Sequence, residues 1–292
     1  MSTKIPSMQL KRVIQTFKAP QQWTNTPPGL GDFVRGICYL HEILQGSGIE
    51  LRVDVSQTEF VDLIEQSPSF FWIGAKQSIA NAEEHFIDHP AAFDRLKEFF
   101  ESDETEFYIS TNIGNWDRVE IPEKTLQFAR NFFAFTPHVE HLNANQLASK
   151  EYETLSIRCG DVFYKDPSIG LIEEAKVQIR SIIEEHVLPR AIHPIAVTSD
   201  CYELKQELAK RYGMMSLPYP SQHGAYGNAL PVAMDLCLLK NSRCNYHINI
   251  WAGWWSGFSH YTSMIFHIPS FNFRMPDFAI EEVTADGRLI MP

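Results

Sequence analysis

The stretch Thr154-Leu-Ser-Ile-Arg-Cys-Gly-Asp161 decides how this chain is read. Leu155 and Ile157, with Ser156 between them, make a short apolar run of the kind that ends a buried strand. The run hands over an arginine, a glycine and an aspartate where the strand should stop. In open α/β sheets ligands bind beyond the carboxyl ends of the strands, so an arginine delivered there is placed to hold a phosphate. An arginine–aspartate ion pair at a strand end accounts for the same residues, and five residues alone do not decide between the two.

Downstream of this stretch the pattern repeats. A helix is predicted over Leu171–Val187, a strand over Ile195–Thr198 and a helix over Tyr202–Arg211. A short strand at Met214–Leu217, a helix at Leu230–Leu239, a strand at Tyr246–Ile250 and a helix at Ser259–Phe266 follow. Strands alternating with helices in this order predict a parallel, doubly wound sheet. Upstream, a strand over Arg12–Phe17 leads through Thr26-Pro-Pro-Gly-Leu-Gly31 to a helix with Phe33, Val34, Ile37, Leu40, His41 and Leu44 on one face. Leu51, Val53 and Val55 then alternate as a second strand. Helices over Thr58–Gln66, Ala91–Glu101 and Thr125–Phe135, and a strand over Glu106–Ser110, are also expected. The polar stretch His138–Lys150 has no periodic apolar face and reads as a domain junction. The fold class expected is therefore α/β: two Rossmann-like domains, residues 1–148 and 149–292, with mainly parallel sheets facing across a cleft.

Composition sets limits on partners. The 292 residues are 44% hydrophobic and 21% charged, which suits a globular chain with ample core. The formal charge, 25 − 36 = −11, disfavours general attraction to nucleic acid or an anionic membrane and leaves room only for a local anion site. No signal peptide is expected, because Met1–Gln9 has no apolar core long enough for one, and no membrane span, because no run of about 18 apolar residues occurs. Five scattered cysteines lack metal-ligand spacing and read as small buried apolar residues. With the absence of a glycosylation sequon, they lead to the expectation of a reduced, cytoplasmic setting.

Four segments carry candidate chemistry, each with a plainer explanation beside it. Arg158 can grip two phosphate oxygens through its planar fork, Gly160 permits close backbone approach, and Asp161 can orient the arginine or receive a ligand hydroxyl. Gly29-Leu-Gly31-Asp32, with Arg35 one turn on, is a glycine turn feeding a helix, which is a natural anion site and equally an ordinary helix start. Thr198-Ser-Asp200 ends a strand, so Asp200 can meet nucleotide hydroxyls or N–H groups, or can simply cap the next helix. Asp235 lies on a helix, and Trp254-Trp-Ser-Gly-Phe-Ser259 opens another. There Ser256, Gly257, Phe258 and Ser259 would offer hydroxyls and amides to a diphosphate, or cap a helix with aromatics buried around it. Trp251, Trp254 and Trp255 are candidates to stack on a base or sugar face, or to fill the core. No Asp-x-Asp metal motif stands out, and no metal is expected.

In this order the four segments resemble the fucosyltransferases that use GDP-fucose: the α1,2-, α1,6- and protein O-fucosyltransferases, including the rhizobial nodulation enzyme. The family's first peptide, His-x-Arg-x-Gly/Thr-Asp, is similar to Ser156-Ile-Arg-Cys-Gly-Asp161. Its second is matched by Val197-Thr-Ser-Asp200 and its third by Asp235 with Ser256-Gly-Phe-Ser259, and Gly29-Leu-Gly-Asp32 resembles its N-terminal glycine loop. The resemblance spans most of the chain. It implies a GT-B fold and metal-independent, inverting transfer of a sugar from a GDP donor to a glycan or glycolipid acceptor. Arg158 and the segment 256–259 would hold the diphosphate, and Asp161 and Asp200 would lie near the nucleoside with Asp235 in support. Asp166 matches the position of a catalytic carboxylate in α1,6 enzymes, with Asp32, His260 and His223 as alternatives for the base. Two departures, Ser156 for the histidine and Cys159 for a second arginine, keep two other readings open: another nucleotide-sugar donor, or a GT-B-like binding protein without turnover.

Overall fold

The computed structural model describes residues 10–16, 30–56, 58–65, 85–87, 91–111, 120–147, 151–159, 169–219, 229–250, 257–275, 279–283 and 289–290. Gly29, Gly160, Asp161, Asp166, Ser256, His223 and the three tryptophans named above lie outside them.

The strands separate by sequence into two sheets. β1 (Arg12–Thr16), β2 (Glu50–Asp54), β3 (His85–Ile87) and β4 (Glu106–Thr111) form a parallel sheet in the order β2-β1-β4-β3. β5 (Glu153–Arg158), β6 (Ile195–Ser199), β7 (Met215–Ser216), β8 (Asn245–Asn249) and β9 (Ser270–Arg274) pair in parallel, in the order β9-β8-β5-β6-β7. β10 (Ala279–Val283) and β11 (Leu289–Ile290) extend the β9 edge antiparallel.

Eight α-helices occur among the described residues: α1 (Leu30–Leu44), α2 (Ala91–Glu101), α3 (Glu123–Arg130), α4 (Pro137–Leu147), α5 (Ile169–Ile182), α6 (Tyr202–Tyr212), α7 (Ala229–Lys240) and α8 (Gly257–Ile265). α5 runs on through a π-helical turn, Ile183–Val187, and α6 stops at Gly213, whose φ of 66° is the left-handed cap that glycine adopts without strain.

Two expectations are corrected. Of the helix expected over Thr58–Gln66, the described residues 58–65 hold only a 3-10 turn over Glu59–Asp62, because Ile64 leaves it to bridge Phe135, with Glu65 N–H donating to Ala134 and Thr136 N–H to Leu63. The helix expected over Thr125–Phe135 begins at Glu123 and turns 3-10 over Asn131–Phe133, bringing Phe132 and Phe133 into the core. The stretch expected to be a junction is largely α4. Val139 and Leu147 are buried and Leu142 is half-buried against the core, and the Asn143 amide donates to Met234 O of α7 at 3.3 Å.

One hydrophobic core spans both halves of the chain: Phe33, Val34, Ile37, Leu126 and Phe132 from the first meet Ala233, Met234, Cys237, Tyr261 and Ile265 from the second. Polar ties cross the same interface. Arg130 Nε donates to Ile265 O at the end of α8 (2.8 Å), Lys240 Nζ to Phe133 O (2.8 Å), and Ala229 N–H to Glu59 (2.9 Å). Each satisfies a backbone or charged group that burial would otherwise leave costly.

Candidate functional site

The second sheet has two unlike faces. Leu155, Ile157, Val197, Ile248 and Phe273 pack on one side with α5 and α6 residues such as Ile179 and Leu204. The opposite face is polar and buried, and its register aligns Thr198, Ser156, His247 and Asn272 across four strands. One row nearer the amino ends, Thr154 Oγ1 donates to Asn245, whose amide donates to Ser263 Oγ of α8 (2.7 Å). Ser263 in turn donates to Ser259 O (3.0 Å) and lies 3.1 Å from His247 Nε2. This network seats α8 on the sheet by hydrogen bonds rather than by an apolar stripe.

Burial holds both histidines of this region neutral, lowering His247 to about 3 and His260 to about 4. Above about pH 6.5 neither the folded nor the unfolded state protonates them. As pH falls below that value the unfolded chain takes up protons that the folded chain refuses, so stability is lost progressively until the folded values are reached. The loss should be about 1 kcal/mol per pH unit for each histidine. Chemical denaturation at about pH 7 and about pH 5 measures it, and His247→Gln should flatten the dependence by roughly one histidine's share.

The polar face ends at the carboxyl edge in Arg158 and its neighbour in register, Asn249. Arg158 Nη1 donates to Asp200 Oδ2 at 2.6 Å, and Cys159 N–H donates to Asp200 Oδ1 at 2.7 Å. One carboxylate thus holds both the guanidinium and the backbone of β5, while 32% of the arginine side chain stays exposed. Asp200 does not cap α6: that position belongs to Cys201, and the Asp200 carboxylate is turned across to β5 instead. The ion-pair partner seen here, Asp200, comes from the adjacent strand end, while Asp161, the aspartate of Arg158's own peptide, lies outside the described residues.

The helix starts complete the edge. α1 begins beyond β1 and α8 beyond β8, so both amino termini lie at the carboxyl edges of their sheets. They touch at two glycines. A Cβ on Gly31 would lie 2.2 Å from Phe258 N, and one on Gly257 would lie 2.9 Å from Gly31 C. Asp32, 31% exposed in the first turn of α1, pairs with the enclosed Arg35 at 3.2 Å. Asp235, on α7, is likewise buried, and so is Ser259, whose Oγ has no hydrogen-bond partner among the described residues. Of the residues singled out from sequence, Arg158 and Asp200 are in direct contact, Gly31 meets Gly257 and Phe258, and Arg35 and Asp235 lie inside rather than on the surface. His247, Asn249 and Asn272 were not singled out. Their signal was present in β8 and β9 as polar residues at every second position, the pattern usually read as a solvent face.

No family model matches the chain, and no curated protein matches it in sequence. Among solved structures it is similar to a mutant of FUT1 from Arabidopsis thaliana in complex with GDP (13% identity, TM-score 0.56, covering 92% of this chain and 71% of that one). It is similar also to the NodZ α-1,6-fucosyltransferase co-crystallised with GDP (14% identity, TM-score 0.56, 97% and 98% covered). The fucosyltransferase NodZ from Bradyrhizobium gives 13% identity and a TM-score of 0.57 over 97% and 98% of the two chains. At such identities the likeness establishes the fold: α/β and GT-B-like, built on two mainly parallel sheets. No helix among the described residues is long and apolar enough to cross a membrane.

Proposed function

We propose that the chain is an inverting glycosyltransferase that moves a sugar, fucose from GDP-fucose, onto a glycan or glycolipid acceptor. The observation that carries this reading is the Arg158–Asp200 clamp at the carboxyl edge of β5 and β6, on a fold shared with enzymes solved with GDP or GDP-fucose. As the bond from sugar to diphosphate breaks, negative charge grows on the leaving phosphate. A guanidinium already fixed by a carboxylate stabilises that charge with little reorganisation. The amide ends of α1 and α8, meeting at Gly31 and Gly257, present two positive helix termini to the same edge, and an anion between them relieves their mutual repulsion.

In this reading Gly257, Phe258 and Ser259 hold the diphosphate together with Gly29 and Ser256. Asp161 and Asp200 border the nucleoside, Asp32 and Arg35 brace the start of α1, and Asp235 supports the site from α7. Asp166 takes the acceptor proton. The division at residues 148 and 149 into acceptor-side and donor-side domains, action without a metal, and a cytoplasmic location belong to the same proposal.

A donor panel tests it: GDP-fucose, GDP-mannose and UDP-sugars are offered with glycan acceptors, and released nucleotide and extended acceptor are both measured. Turnover of GDP-fucose alone supports the proposal, and turnover of another donor replaces fucose by that sugar. Nucleotide binding without turnover of any donor would make the chain a binding protein. Asp200→Asn keeps an acceptor for Cys159 N–H but removes the charge on the bond to Arg158, so donor affinity should fall about tenfold by titration calorimetry.

A further inference from the structure

Beside the clamp, on the apolar face of the sheet, two thiols come together. β5 and β6 pair in register up to Ile157↔Ser199; Cys159 directly follows β5, and Cys201 caps the helix that follows β6. Both cysteines close on one hydroxyl: Cys201 N–H donates to Ser199 Oγ at 3.1 Å, and the Cys159 sulfur lies against the same oxygen. Cys159 is fully buried among Leu155, Ile157 and Val197, with its sulfur 3.7 Å from Ser199 Oγ, while Cys201 is partly exposed at the N-cap of α6. We propose that Cys159 and Cys201 are an oxidative modification site, which a hydroperoxide closes to a disulfide and thereby loosens the Arg158–Asp200 clamp.

The environment separates the roles of the two sulfurs. The interaction between the two thiols lowers Cys201 below the ordinary thiol range and, together with burial, raises Cys159 above it. The first-turn amide of Leu204 lowers Cys201 further, without the geometry of a full cap bond, whereas burial, Glu203 and Asp200 oppose the shift. Cys201 is therefore the accessible thiolate and Cys159 the resolving thiol. The Cys201 thiolate attacks the peroxide O–O bond, becomes the sulfenic acid and releases hydroxide. The Cys159 sulfur then attacks the Cys201 sulfur, an S–S bond forms as the S–O bond breaks, and the departing oxygen leaves as water with the Cys159 proton. Two electrons pass from the thiols to the peroxide.

The clamp is directly tied to both sulfurs. Asp200 precedes Cys201 in the chain and accepts from Cys159 N–H, and Cys201 N–H donates to Ser199 Oγ at 3.1 Å. Drawing the two Cβ atoms to the roughly 3.8 Å of a disulfide shifts the backbone on which the Asp200 carboxylate is aimed. The effect on donor binding rests on the function proposed above, whereas the disulfide itself does not.

The full chain, reduced and then treated with hydrogen peroxide, should lose two of its five thiols and yield a linked peptide joining Cys159 to Cys201. Cys201→Ser should retain its remaining thiols under the same treatment, and Cys159→Ser should leave a sulfenic acid at Cys201 that dimedone traps. GDP titrated into the oxidised protein should bind about tenfold more weakly than into the reduced protein, and thiol reductant should restore it. Absence of the linked peptide, or prior oxidation of Cys244, overturns the site. A linked peptide with unchanged GDP affinity overturns its effect on the clamp. If reduced protein binds no GDP, the donor reading fails and the disulfide is judged by peptide mass alone.

Discussion

Gly31→Ala is expected to destabilise the protein by at least about 3 kcal/mol, a fall in Tm of roughly 6–10 °C for a chain of this size. The added methyl would lie 2.2 Å from Phe258 N and 2.3 Å from Gly257 C, and these are backbone atoms of a helix start that no rotamer change can clear. The two helices must part, and with them the carboxyl edges of the two sheets. Nucleotide binding should therefore be lost even where the variant still folds. Gly213→Ala is the matched comparison: its Cβ meets nothing within 4 Å, so only the left-handed φ penalty of about 1 kcal/mol applies. Scanning calorimetry of both variants measures the difference. Equal shifts would mean that the glycine contact does not hold the helix starts together.

Arg158→Ala should have the largest effect on chemistry. Losing a fixed donor to developing phosphate charge costs about 10²–10³ in kcat, and the Asp200 carboxylate is left without its guanidinium partner. Arg158→Lys should restore little, because an ammonium cannot hold Asp200 and a phosphate oxygen through one planar fork. Steady-state kinetics with GDP-fucose check both variants. A kcat within about twofold of wild type for Arg158→Ala would remove the arginine from the mechanism.

The repeating unit was legible because β5 and β6, with the helices that follow them, obey a simple rule: a short apolar strand, then an apolar helical stripe. The Arg158 position was legible from strand-end placement alone. Its partner was not, because pairing with Asp200 depends on β5 and β6 being neighbours, 42 residues apart. β9 was missed although Phe271 and Phe273 alternate, since its other face, Ser270 and Asn272, is polar yet buried. β10, Ala279-Ile-Glu-Glu-Val283, carries two acidic residues and gains its strand identity from antiparallel pairing with β9. α4 was hidden for a related reason: an asparagine hydrogen bond to Met234 O does part of the work usually done by an apolar stripe. The two thiols were hidden too, since Cys159 and Cys201 share no local motif and come together only around Ser199, at the ends of neighbouring strands.

Titration of wild-type protein and Arg158→Ala with GDP in the presence of a chelator tests the central claim most directly. The clamp at the carboxyl edge of β5 predicts saturable one-to-one binding to the wild type that is insensitive to chelation, and a loss of at least about tenfold in the variant. No binding to the wild type, or equal affinity in the two proteins, would contradict it.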